Sequence, residues 1–385
     1  MTLHAQLDRL AAFEQSPYPV ISLYLNTQPD GRGRDHFQSF VRKELKARAQ
    51  TYAPRSTERE MLDRDMERIA AYLENDIQPS ANGVAIFACD AAELFETVQI
   101  DAPLDHHWLY VGDQPHLYPL ARVASRYPRY AVVLADTNRT RILVIADGGV
   151  SADTAIEGQK TRRTTQGGWS QARYQRHVEN YHLHHIKDVV ATLEKIVQQE
   201  GIDRVIVSGD PVVIPLVREQ LSKPLAEMIV DELSIPSSAP EAEVIAASRA
   251  AMVEADARTD REKVDAAIGA YRAGGLGVVG PDATLLALTN GQVDELLLTA
   301  SLGSLGGLRG SRASEMAIAN DSTIAEPAVE PSMAGEPAGT EVGTVRLADE
   351  LVTKAHQTGA RLSFIEDQSL LESYGGVAAT LRYRI

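Results

Sequence analysis

At 385 residues the chain exceeds the size at which a single hydrophobic core usually stops growing, so several domains are expected. Hydrophobic residues make up 44% and charged residues 24%, an ordinary balance for a soluble globular protein, and no stretch nears the roughly 18 apolar residues that a membrane span requires. A net charge of −15 argues against nonspecific coating of nucleic acid unless positive charge is gathered locally, and a single cysteine, Cys89, excludes an internal disulfide framework. Neither a secretory leader nor a membrane anchor is read at Met1-Thr2-Leu3-His4-Ala5-Gln6-Leu7-Asp8, so a cytoplasmic protein is expected.

In chain order, Val20 to Leu25 reads as a strand, and His36 to Gln50 and Thr57 to Glu74 carry apolar residues at helical spacing. Gly83 to Ala88, Leu94 to Ile100 and His107 to Val111 read as further strands of one sheet, giving an N-terminal α+β domain over 1–127. Cys89 follows one of these apolar runs and reads as a small core hydrophobe. A second domain, 128–259, begins with Tyr130 to Ala135 and Arg141 to Ala146 around the turn Asp136-Thr137-Asn138-Arg139, a hairpin signal. A helix is expected from about Asn180 to Gln199, with Ile186, Val189, Val190, Leu193, Ile196 and Val197 as its apolar stripe. The β-branched run from Arg204 to Gly209 then predicts a buried strand, with helices near Val212 to Ser222 and Glu241 to Arg258 around a strand at Met228 to Val230.

A third domain, 260–385, is expected to start with a helix from Arg261 to Arg272, followed by a helix through Leu288 and the strand Glu295 to Thr299. Residues 301–343, rich in Gly, Ala, Ser, Pro and Glu, lack periodicity and read as a flexible insertion. Order is expected again in a helix from Val345 to Gln357, a strand at Arg361 to Ile365 and a last strand from Val377 to Arg384.

The richest functional signal lies between these elements. From Gly158 to Lys187 six basic residues stand against the single acid Glu179, a local +5 in an acidic chain, and His177, His182, His184 and His185 share the window. Within it, Gly167-Gly168-Trp169-Ser170-Gln171-Ala172-Arg173-Tyr174-Gln175-Arg176 joins a flexible glycine pair to glutamines, arginines and aromatics. Residues 158–180 therefore read as a loop suited to an RNA-lined site, the alternative being a solvated charged face.

Asn290 to Leu298, Leu351 to Ala355 and Gly375-Gly376-Val377-Ala378-Ala379-Thr380-Leu381-Arg382-Tyr383 resemble the third domain of the archaeal and eukaryotic class-1 peptide release factors and of Pelota. The middle domain is similar too: that family carries Gly-Gly-Gln continued by Ser-x-x-Arg-Phe-x-Arg, and residues 167–176 keep every element except the glutamine, where Trp169 stands. The chain thus resembles the bacterial relatives of these factors, a group also similar to Vms and to the hibernation factor Balon. The resemblance implies an α/β protein of three domains: a middle RNase H-like sheet with a long loop and a C-terminal α/β/α sandwich of ribosomal-protein-like fold. It also implies the ribosome as partner, through ribosomal RNA and P-site tRNA, with a translational GTPase for delivery and neither DNA, a membrane nor a cofactor involved. The N-terminal segment has neither Asn-Ile-Lys-Ser nor Tyr-x-Cys-x-x-x-Phe, so stop-codon reading is not implied.

Two functions follow from the loop. In the first it occupies the ribosomal cavity in hibernation or rescue, with Arg162, Arg163, Arg173 and Arg176 on phosphates and Trp169 or Tyr174 stacking on a base, a contact worth about 1–3 kcal/mol. In the second it hydrolyses peptidyl-tRNA, using the backbone freedom of Gly167 and Gly168 and the side chain of Gln171, because a donor-only indole at Trp169 cannot imitate an amide that both donates and accepts. Other motifs are set aside. His182-x-His184-His185 has no nearby cysteine to complete a zinc set, so no metal is expected, and His106-His107 reads as a strand edge. Gly275-x-Gly277-x-x-Gly280 follows a helix rather than a strand, and the acids Asp349, Glu350, Glu366 and Asp367 are expected at element ends without a partner base.

Overall fold

The computed structural model describes residues 3–29, 37–136, 139–157, 171–306, 328–335 and 340–384, with backbone alone for 171–181. Contacts within the chain divide it into two units, Met1–Arg126 together with Ala257–Ile385, and Tyr127–Asp256.

The N-terminal part runs α1 (Leu3–Ala11), β1 (Val20–Asn26), α2 (Phe37–Ala49), α3 (Thr57–Asn75), β2 (Gly83–Cys89), β3 (Leu94–Ile100), β4 (Trp108–Gly112) and α4 (Tyr118–Arg126). Strand β1 alternates in the way a strand between two layers must: Ile21, Leu23 and Leu25 pack with α2 and α3, while Tyr24 enters the apolar cluster on the opposite face with α1 and α4. Helix α3 starts where Ser56 Oγ accepts the Arg59 N–H at 3.2 Å, with Glu58 and Glu60 in the first turn, so both cap and dipole favour that start.

The middle unit runs β5 (Tyr130–Ala135), β6 (Arg139–Ala146), β7 (Gly149–Glu157), α5 (Gln171–Glu200), β8 (Val205–Gly209), α6 (Ile214–Gln220), α7 (Lys223–Glu227), β9 (Ile229–Leu233) and the start of α8 (Glu241–Arg272). Its sheet has the order β7-β6-β5-β8-β9, antiparallel from β7 to β5 and parallel from β5 to β9, an RNase H-like arrangement. Alternation again assigns the faces. Ala131, Val133 and Ala135 meet Ile186, Val189, Val190, Leu193 and Val197 of α5, while Val132 and Leu134 meet Val244, Ala251 and Met252 of α8.

The C-terminal part follows with β10 (Gly277–Val279), α9 (Pro281–Thr289), β11 (Val293–Thr299), β12 (Ser332–Ala334), α10 (Val342–Thr358), β13 (Arg361–Ile365) and β14 (Val377–Leu381). The sheet β10-β14-β11-β13 forms an α/β/α sandwich: Leu296, Leu298, Val377 and Ala379 face α9 and α10, while Leu297 and Ala378 face Val264 and Ala267 of α8. The Gly375-Gly376 pair has a structural cause, since both residues take positive φ and a Cβ on Gly376 would lie 2.8 Å from the Ser304 carbonyl oxygen.

Several expectations need correction. The expected first and third domains form one unit, Met1–Arg126 with Ala257–Ile385, because a single apolar cluster takes Leu7 and Leu10 of α1, Leu120 of α4, Leu285 of α9 and Leu351 of α10. The break expected near Asp260 lies inside α8, whose residues 241–268 include neither Gly nor Pro to stop it. The 301–343 insertion contains β12, which adds to the first sheet in the order β12-β4-β1-β2-β3 and pairs Ser332 to Ala334 with Val111 to Leu109. Arg48 Nη2 donates to the Glu330 carbonyl at 2.7 Å and the Ala328 N–H donates to Asp113 Oδ2 at 2.8 Å, fastening a stretch whose composition hides that role. Finally, α5 begins at Gln171 rather than near Asn180, so 171–180 of the expected loop are helical; no Gly or Pro interrupts residues 171–200.

Candidate functional site

The basic window is framed by the β6–β7 hairpin and α5. Strand β7 pairs with β6 from Gly149 to Glu157, and Arg141 anchors the hairpin by donating to Asp153 Oδ2 at 2.8 Å and to the Ala239 carbonyl at 3.1 Å. Glu157, the last residue of β7, lies opposite Arg139, and Thr140 beside it lies opposite Ala135 at the carboxyl end of β5. The chain therefore leaves the sheet at the ends where β5 and its parallel neighbour β8 finish, the edge at which open α/β sheets commonly place ligands.

Helix α5 is pinned to the same edge. His185 Nε2 and the buried Thr140 Oγ1 lie 3.1 Å apart, the tautomer deciding which donates, and the apolar stripe from Ile186 to Val197 continues the contact along the sheet. Burial lowers the His185 pKa, with His182 adding to the effect and Asp188 and Asp136 opposing it, so the imidazole is held toward its neutral form. Gln171 precedes His185 by 14 residues, and at about 1.5 Å per residue the helix start lies about 21 Å from this pin along the axis. That length is an arm with Arg173, Tyr174 and Arg176 in its first two turns.

The predicted site residues therefore divide. Gln171, Arg173, Tyr174 and Arg176 share the start of α5, whereas Arg162, Arg163, Gly167, Gly168 and Trp169 lie outside the described residues. His185 was set aside as a metal ligand on sequence grounds and is the pin of the helix instead.

A second polar constellation in the other unit escaped the sequence reading. Asp349, expected at an element end without a partner base, is buried within α10, where its oxygens lie 2.7 and 2.8 Å from His116 Nδ1 and Oδ1 also accepts the backbone N–H groups of Leu117 and Tyr118 at 2.9 and 3.0 Å. The His116 N–H donates to Ser22 Oγ at 2.9 Å, and Tyr24 Oη donates to the His116 carbonyl at 2.5 Å. Tyr24, Trp108 and Tyr110 surround the imidazole; burial, reinforced by the Asp349 charge, pushes the Tyr24 and Tyr110 phenols upward. His116 is only 2% exposed, so the pair braces α10 against the start of α4 rather than presenting a base to a substrate. Its members are 233 residues apart, and no local spacing announces them.

Elsewhere in this unit Glu295 accepts Lys263 Nζ and Ser363 Oγ at 2.7 Å each; burial pushes its carboxyl up, but these bonds outweigh burial and hold it below the usual range. Among the described residues no group of three or more His, Cys, Asp or Glu could hold a metal ion, and no helix is long and apolar enough to cross a membrane.

The sheets and their layers define a mixed α/β protein with an RNase H-like middle unit. Residues 115–252 match the family described as bacterial archaeo-eukaryotic release factor family 10, which makes this region of the chain a relative of the archaeo-eukaryotic release factors. Among solved structures it is similar to the archaeal translation termination factor aRF1, at 16% identity over 100% of this chain and 99% of that one with a TM-score of 0.26. Similarity extends to Archaeoglobus fulgidus Pelota, at 14% identity over 80% and 82% of the two chains with a TM-score of 0.34. Ribosome-bound archaeal Pelota, described together with ABCE1, gives 13% identity over 100% and 95% with a TM-score of 0.42. No curated protein matches the chain.

Proposed function

We propose that this chain is a cytoplasmic, ribosome-associated translation factor that enters the A site and brings residues 158–180 near the peptidyl-transferase centre, acting in hibernation or rescue rather than stop-codon reading. The observation that carries the reading is the family match over 115–252, which contains the whole basic window and the elements that frame it. The arm of α5 supports it physically: a helix pinned by His185 and its apolar stripe can hold Arg173 and Arg176 at phosphates without losing its own position. Arg162, Arg163, Arg173 and Arg176 contact ribosomal RNA or P-site tRNA, and Trp169 or Tyr174 stacks on a base. By family analogy a translational GTPase delivers the factor.

Cosedimentation with ribosomes over a salt series tests this reading. Arg173→Glu with Arg176→Glu is expected to weaken binding at least about 10-fold and to flatten its salt dependence. Failure of the unaltered protein to cosediment at low salt would falsify it. A second reading, peptidyl-tRNA hydrolysis, draws on Gln171 standing at the start of α5, where backbone N–H groups without intrahelical partners are available to a developing oxyanion. It requires release of labelled peptide from ribosome-bound peptidyl-tRNA, lost in Gln171→Ala; tight ribosome binding without release leaves the non-catalytic reading alone.

A further inference from the structure

Helix α2 places exposed cations side by side on one face, with few carboxylates to answer them. The chain has 53 acids against 38 lysines and arginines, so a carboxylate is normally at hand for each cation. Arg9, Arg59, Arg64, Arg126 and Arg361 follow that pattern, each paired with an Asp or Glu at 3.2 Å or less. On α2, by contrast, Arg42 and Lys46 are exposed and have no carboxylate partner among the described residues; Arg42 reaches only the Gln38 side-chain oxygen at 3.2 Å. Lys43, beside them, pairs with Glu44 at 2.8 Å and is itself largely exposed.

The arrangement is regular. Gln38, Arg42 and Lys46 follow one another at i, i+4 and i+8, about 6 Å apart along the axis, with Ser39 and Lys43 forming a parallel row. These five side chains line a shallow, open concavity, and the opposite side of the helix is fixed by Phe37, Val41, Leu45 and Ala49 in the core. Phe40, the other large apolar side chain of the helix, is half-buried against His107. A lipid surface would need apolar side chains projecting beside the cations, and base stacking would need an exposed aromatic ring; the outward face of α2 has neither. Its equipment is positive charge at a regular spacing with neutral hydrogen-bonding groups, which complements a run of backbone phosphates.

We infer that the outward face of α2, through Arg42 and Lys46 with Lys43 beside them, binds the phosphate backbone of RNA without sequence preference, as a contact separate from the basic window of the middle unit. The choice of RNA over other polyanions rests on the ribosomal reading above.

Fluorescence anisotropy of the full chain with a labelled, mixed-sequence single-stranded RNA over a salt series tests the inference. The unaltered protein is expected to bind at low salt. Arg42→Gln with Lys46→Gln is expected to weaken binding about 10-fold and to reduce the log–log salt slope by about 1.4, two phosphates at about 0.7 each, with an unchanged melting curve because both residues are exposed. Absence of binding by the unaltered chain, or equal affinity and slope in the double variant, overturns the inference. So does equal binding of a labelled polyglutamate through the same two residues, which would make the face an acidic-protein contact. Ribosome sedimentation separates the two proposals: RNA binding through α2 by a protein that never cosediments would sink the ribosomal reading alone, whereas cosedimentation with an RNA affinity indifferent to Arg42 and Lys46 would sink only the α2 contact.

Discussion

The two units differ in whether they bury carboxylates. Asp65, Asp113, Glu295 and Asp349, all buried carboxylates, belong to the unit built from the two ends of the chain, whereas the buried polar side chains of the middle unit are Thr140, His185, Ser208 and Ser248 among the described residues. The first unit therefore depends on keeping charges partnered, at a high cost for each partner lost. The middle unit keeps a core of hydroxyls and a histidine held toward neutrality, with no buried carboxylate among its described residues. Scaffolding by buried carboxylates is thus confined, among the described residues, to the first unit.

The largest predicted effect tests the first half of that contrast. Asp349→Ala removes the partner of His116 and the acceptor for two backbone N–H groups, and is expected to cost about 3–5 kcal/mol by denaturant unfolding. Asp349→Asn should recover part of the loss, since an amide oxygen can still accept; no difference between either variant and the unaltered chain would show that the brace contributes little. A middling effect is expected at Lys263→Met, which leaves Glu295 buried with Ser363 and a more distant Arg361: about 1.5–3 kcal/mol, read by the same assay.

The smallest effects are pH dependences, and they have opposite signs. Burial raises the Asp65 pKa from 3.8 to about 6, with the Asp90 N–H opposing the shift and the Asp90 charge adding to it. The folded state binds this proton more readily than the unfolded state, so Asp65 adds stability as pH falls from about 6 toward 3.8; Asp65→Asn should remove that gain. For His185 the folded pKa lies below the unfolded value of about 6.5, so its contribution is complete above that pH and is lost as pH falls through the folded pKa. His185→Leu should therefore flatten the acid-side loss of the middle unit. Unfolding of each variant across this range checks both signs, and matching slopes in the two would break the contrast.

Near-continuous apolar runs in Val20 to Leu25, Tyr130 to Ala135 and Glu295 to Thr299 made the core strands legible, because each strand is buried on both faces. The hairpin at Asp136 was legible for the same reason together with its turn residues. Three features were not. Strand β12 is held by backbone pairing, and side-chain bonds to the Glu330 carbonyl and the Ala328 N–H fasten the residues just before it, which composition does not encode. The union of the chain ends depends on residues as far apart in sequence as Leu7 and Leu351 joining one apolar cluster, and helical periodicity marks each as apolar without naming its partners. Helix α8 reads in the sequence as two helices, Glu241 to Arg258 and Arg261 to Arg272, and its continuity rests on packing to either side of that join, which local spacing does not encode. At the candidate site the charge of the window was visible, but the pin at His185 was not, since a histidine's letter does not reveal whether it meets metal, RNA or a buried threonine.

Because β12 and α10 complete layers begun by the first hundred residues, the order of synthesis is reversed as an order of completion. Residues 127–256 can close their core while the earlier sheet still waits for a strand and a helix that have not been made. Until residue 358 has emerged, the apolar faces of α1 and α4 lack the helix that covers them, and the nascent chain is at its most vulnerable to aggregation.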